Sequence, residues 1–274
     1  MMPVMVGFFI GLVTTLWMVP LFGASLQLDG NMVQGGLVQG RTLPGARIEF
    51  EGRAVRVSDR GLFLLGFGRD APKRQELTVI LPDGRRHQRI LQISRRDYRI
   101  QRINGLPPNK VNPNTKALER IRTEVALVKE ARRLDAPRTD FLGGFIWPLT
   151  GKITGVYGSQ RILNGEPKRP HYGIDIAAPK GTAVRAPADG MITLTHPDMY
   201  FSGATLILDH GHGLSSGFLH LGRIQVEEGQ VVRQGEVIAE VGATGRSTGA
   251  HLDWRINLFE ARLDPQLLVG PMQK

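Results

Sequence analysis

Six of the seven histidines, His171, His196, His210, His212, His220 and His251, lie close together in the last 104 residues, among several aspartates. The chain has no cysteine, so a metal centre would draw on imidazole and carboxylate alone. His171 and Asp175 stand four residues apart in HYGID. In an extended strand that spacing is ~13 Å, too far for one ion with ligands at ~2 Å. The backbone must therefore curl between them, and Gly173 permits it. His251 and Asp253 in HLD are two apart and share one strand face at ~7 Å, so one can bind a metal while the other faces substrate. His220 in GFLHLG supplies a third imidazole from a separate strand. His210 and His212, between glycines in DHGHG, read as structural or rim residues, and His196 before Pro197 as exposed. With no Glu at H-E-x-x-H spacing, acid–base work would fall to histidine.

These side chains need strands to hold them. The 274 residues, with 34 Gly and 17 Pro, predict a mainly β chain of about two domains rather than a helical bundle. Residues 26–104 read as a small β-sandwich: RIEFEG, AVRVSD, GLFLLGF, LTVILPDG and RILQIS are separated by Pro44-Gly45, Asp59-Arg60-Gly61 and Asp83-Gly84. Residues 105–140 form a Pro-rich linker and an amphipathic helix. Asn112 is the expected cap, with Pro113 at the first helical position and Leu118, Ile121, Val125 and Val128 on the buried stripe. Residues 141–274 turn to β again, as a barrel or sandwich. Two similar segments there, GTAVRAPADGMITL and GQVVRQGEVIAEVG, predict paired hairpin units with a groove between them.

Residues 1–25 begin with 24 uncharged, largely apolar residues and read as a signal peptide or N-terminal anchor that engages the membrane during export. The formal net charge of +10 arises entirely before Phe141 and points to a polyanionic partner. Export, together with the lack of regular aromatic interleaving among Arg85, Arg86, Arg89, Arg95, Arg96, Arg99 and Arg102, argues against nucleic acid. A solvated basic face and a wall-binding or docking surface both fit those arginines.

From about Trp147 to Pro265 the chain resembles the lysostaphin and LytM-type zinc metalloendopeptidases, murein hydrolases with a duplicated hybrid motif fold. HYGID, FLHL and HLDW carry the resemblance, supported by DIAAPKGTAVRAPADG, LDHGHGL and VGATGRSTGAHL. It implies a Zn²⁺ cofactor bound through His171, Asp175 and position 253, with His220 and His251 acting on water and substrate. At position 253 the family pattern has a histidine and this chain an aspartate. Asp253 can reach Zn²⁺ at similar distances, but a second anionic ligand lowers the ion's Lewis acidity. The expected activity is hydrolysis of peptide bonds in peptidoglycan cross-bridges or stem peptides, in the periplasm or cell envelope, with an envelope protein as a further partner. The alternative is a degenerate relative that binds or activates another cell-wall hydrolase. A lipoyl- or biotinyl-type carrier is disfavoured, because the turns ADGM and RQGE lack the modifiable lysine.

Overall fold

The computed structural model describes residues 26–272, so the expected leader lies outside the described residues. Turn residues divide the first part into β1 (Leu26–Gly30), β2 (Leu37–Thr42), β3 (Arg47–Phe50), β4 (Arg53–Val55), β5 (Leu62–Gly66), β6 (Arg74–Ile80) and β7 (Arg86–Gln92). They form two sheets, ordered β1-β2-β5 and β4-β3-β6-β7. Both contribute to one apolar core that includes Leu26, Val38, Ile48, Phe63, Leu65, Leu77 and Leu91. Strand β5, LFLLG, is buried on both faces. Side-chain alternation sends Phe63 and Leu65 into this core and Leu62 and Leu64 into the larger core of the second half. The two halves are therefore packed together directly. Arg96 adds to the joint through a 2.8 Å ion pair with buried Asp264, so one of the arginines expected on an open basic face is an internal fastener.

The chain leaves the sandwich through β8 (Ile100–Ile103) and passes two helices, α1 (Pro108–Val111) and α2 (Thr115–Ala131). Helix α2 is capped by Asn114, whose side chain accepts from the Ala117 amide at 2.9 Å. The expected cap, Asn112, instead ends α1, its amide donating to the Pro108 carbonyl at 2.8 Å. The buried stripe also differs from expectation. Leu118 and Val125 are exposed, whereas Val128 and Ala131 pack on Leu194, Met199 and Ile207. Glu124 occupies the buried face because its carboxylate is satisfied there, accepting from Arg120 Nε at 2.6 Å and the Tyr200 amide at 2.8 Å. No helix among the described residues is long and apolar enough to cross a membrane.

The second half is mainly β, as its punctuation predicts. Its strands are β9 (Lys152–Gly155), β10 (Gln160–Leu163), β11 (Glu166–Pro167), β12 (Ile174–Ala177), β13 (Ala183–Arg185), β14 (Gly190–Met199), β15 (Gly203–Gly211), β16 (Leu214–Ile224), β17 (Val231–Val232), β18 (Val237–Val241), β19 (His251–Leu258) and β20 (Ala261–Leu263). The main sheet runs β17-β14-β15-β16-β19-β12-β9, with β13 on β18, β18 also on β16, and β20 on β19. The two similar segments clasp each other, β13 pairing β18 and β14 pairing β17. The groove is not between them. It lies where β12 and β19 meet the 246–251 loop and the β10 strand, which is itself extended by β8 running parallel to it.

Candidate metal centre and its groove

Strands β12 and β19 pair antiparallel with Asp175 opposite Asp253. That register brings two carboxylates 78 positions apart in sequence to one spot, and the curl before β12 returns His171 to the same place. His171 Nε2 lies 3.1 Å from Asp175 Oδ1 and 3.4 Å from Asp253 Oδ1. One donor atom from each of the three residues lies within 4.8 Å of the others, and all three residues are buried. The 3.1 Å approach is poorly aligned for a hydrogen bond, so His171 Nε2 and Asp175 Oδ1 are both buried without a hydrogen-bond partner. Buried polar atoms are almost always paired. Two such atoms facing each other with a third donor beside them fit a cation, and imidazole with two carboxylates is a donor set that Zn²⁺ accepts.

Sequence reading did not identify the groups that support these ligands. Arg161 Nη2 holds Asp175 Oδ2 at 2.8 Å. Arg255 holds Asp253 with Nε on Oδ1 at 3.0 Å and Nη2 on Oδ2 at 2.6 Å. Gly155 and Gly173 leave room for the carboxylates: a Cβ at Gly155 would collide with Asp175 Oδ2, and one at Gly173 with Asp253 Oδ1. From the sequence, Gly173 signals only a permissive bend. Arg255 had a readable signal, since it sits two residues after Asp253 and so shares its strand face.

Electrostatics follow from this packing. Burial alone would depress the His171 imidazole, yet the carboxylates of Asp175 and Asp253 outweigh it and raise its pKa. Burial would raise the Asp253 carboxyl, but Arg255 and His171 hold it well below the usual carboxylate range.

The other two sequence-selected histidines stand together in the groove wall. The His220 and His251 rings are 4.8 Å apart, centroid to centroid. His220 has a left-handed backbone, φ 62°, an unusual conformation for a residue with a side chain and one that collects at functional sites. Its Nδ1 faces the Thr244 carbonyl at 2.8 Å and His251 Nδ1 faces the Gly249 carbonyl at 2.9 Å. A carbonyl can only accept, so each ring carries its proton on Nδ1 and keeps Nε2 as the basic nitrogen. His251 Nε2 is 3.8 Å from Asp175 Oδ1. Burial pushes the His220 pKa down to about 4, which keeps the ring neutral near pH 7.

Both rings and Asp175 line one groove of about 320 Å³, whose far wall includes Gln101, Ile103 and Leu106 from the segment after the sandwich. His210 stands apart, buried with Nδ1 on the Asp189 carbonyl at 2.7 Å and Nε2 on Ser216 Oγ at 2.8 Å, a structural histidine.

Residues 169–265 match the family model described as Peptidase family M23. A solved Pseudomonas aeruginosa structure described as an M23 peptidase is similar over 88% of this chain and 96% of its own, with 31% identity and a TM-score of 0.68. Among curated proteins, the DD-carboxypeptidase/endopeptidase Mpg of Neisseria meningitidis is 47% identical over 126 residues, 45% of this chain. The peptidoglycan DD-endopeptidase ShyB of Vibrio cholerae is 39% identical over 105 residues, 38% of this chain. The matched stretches span 28% and 24% of those two proteins.

Proposed function

This chain belongs to peptidase family M23, and from that premise we propose that it is a zinc-dependent endopeptidase that hydrolyses peptide bonds in peptidoglycan cross-bridges or stem peptides, acting in the periplasm or cell envelope. The observation that carries the reading is the convergence of His171 Nε2, Asp175 Oδ1 and Asp253 Oδ1 beneath two imidazoles in one groove. The name of ShyB, a peptidoglycan DD-endopeptidase, supplies the substrate class. The regulator alternative has against it that His171, Asp175, His220 and His251 are all present and gathered at a single site.

His171, Asp175 and Asp253 would hold the metal. When bound, Zn²⁺ acts as a Lewis acid toward water and the scissile carbonyl. The residues supply the rest. His220 and His251 present Nε2 lone pairs on the groove side, and either can take a proton from water as its oxygen forms the new C–O bond. The same imidazole, now protonated, gives that proton to the leaving nitrogen as the C–N bond breaks. Products are a carboxylic acid and an amine. The carbonyls of Thr244 and Gly249 fix both rings through their Nδ1–H groups, so the reactive nitrogens need not reorient during the cycle.

The test is metal content together with release of soluble muropeptides from purified peptidoglycan, on the wild type and His171→Ala. Near one zinc per chain and release of fragments, both lost in the variant, is the expected result. A zinc-loaded, folded wild type that releases nothing would refute the enzyme reading.

A further inference from the structure

We propose that Arg255 competes with the metal for Asp253, so that an internal counter-ion sets how strongly this site binds a divalent cation. The inference rests on His171, Asp175 and Asp253 being the ligands. It starts from a difference between the two carboxylates. Arg161 reaches only Oδ2 of Asp175, and Oδ1 is left buried and without a hydrogen-bond partner. Arg255 takes both oxygens of Asp253 in a bidentate grip of 3.0 and 2.6 Å. Oδ1, the oxygen that faces His171 Nε2, is one of them. A cation that uses this oxygen must share it with Arg255 Nε or displace it.

Charge gives the sign of the effect. Asp175 and Asp253 contribute two negative charges, and Arg161 and Arg255 contribute two positive ones. Each carboxylate thus already has a positive partner before a divalent ion enters. A guanidinium keeps its proton at any working pH, so it cannot leave as a proton can. Asp253 is fully buried, and at such a position repulsion between guanidinium and cation is weakly screened. Arg255 also stabilises the metal-free protein, because Asp253 without a partner would be an uncompensated buried charge. Metal and Arg255 are alternative partners for one carboxylate.

The experiment measures Zn²⁺ affinity by competition with a chromophoric chelator, and thermal midpoints with and without Zn²⁺, for wild type, Arg255→Gln and Arg255→Lys. Arg255→Gln should bind Zn²⁺ at least tenfold more tightly than wild type. Its midpoint should lie below wild type without metal and rise further than the wild type's when zinc is added. Arg255→Lys keeps the charge and should stay within about threefold of wild type. Should Arg255→Gln fold only with zinc present, the proposal is supported, since the cation has replaced the lost partner; a variant that stays unfolded with zinc overturns it. Wild-type binding with Arg255→Gln equal or weaker overturns the proposal and leaves the peptidase reading intact, whereas no zinc binding by any of the three overturns both. An Arg255→Lys gain as large as that of Arg255→Gln also overturns it, because the charge would not be the cause.

Discussion

His210 and His220 are held neutral by burial, each with its pKa pushed down to about 4, against ~6.5 in an unfolded chain. The unfolded state therefore binds more protons as pH falls from 6.5 toward 4, and stability is lost across that window. Asp209 acts in the opposite sense. Burial raises its carboxyl to about 6, above the ~3.9 of the unfolded chain, so the native state takes up its proton first and offsets one histidine. For these three groups together the loss by pH 4 is about 3 kcal/mol. Asp209→Asn should make the fall steeper, and thermal midpoints between pH 7 and 4 will show it; equal slopes would refute the assignment. A second prediction concerns space. Gly155→Ala would put a methyl group against the Asp175 carboxylate and should weaken Zn²⁺ binding at least tenfold in a folded protein, measured by chelator competition. The five chemistry-bearing residues could be selected from HYGID, FLHL and HLDW because their spacing and the family resemblance lie along the sequence. Arg161 and Gly155 could not, since they reach Asp175 only through the pairing of β9 with β12 and the long-range placement of β10, which no local motif encodes.

At the level of elements, α2 shows how a polar residue takes an apolar position. Glu124 is buried, accepting from Arg120 and the Tyr200 amide while Arg120 also donates to the Asp198 carbonyl. Glu124→Ala leaves the Tyr200 amide without its partner and should cost about 2 kcal/mol. Asn114→Ala removes only a cap and should cost about 1 kcal/mol. Urea unfolding of the two variants tests the order, and a larger loss for Asn114→Ala would contradict the packing described. The helix itself was legible from its period and from the Asn and Pro residues before it. Its register against β14 was not, because hydrophobicity alone favours Leu118 and Val125 over Glu124, and only the tertiary hydrogen bonds reverse that order. The clasp of β13 with β18 and β14 with β17 followed from internal similarity, but the groove lies at β12, β19 and β10, where long-range register decides.

Across the whole molecule, the sandwich and the groove-bearing half are joined through β5. Leu62 and Leu64 belong to the larger core while Phe63 and Leu65 belong to the sandwich. The unbroken apolar run LFLLG carried that information, since a strand covered on both faces loses polar alternation; reading the sandwich as a self-contained unit passed over it. Leu64→Asp should therefore destabilise both halves together, by more than about 3 kcal/mol, in one thermal transition. Separate transitions, with only one half shifted, would contradict two cores coupled through β5. The central claim is amide hydrolysis at the groove beneath His220 and His251. It is tested most directly by digesting purified peptidoglycan in H₂¹⁸O with zinc-loaded protein and analysing the released fragments by mass spectrometry. The account predicts a new amine and a new carboxyl group carrying one ¹⁸O for each bond cut, lost in His220→Ala and His251→Ala while zinc binding persists. Label in the fragments from both variants at the wild-type rate, or cleavage without ¹⁸O uptake, would contradict it.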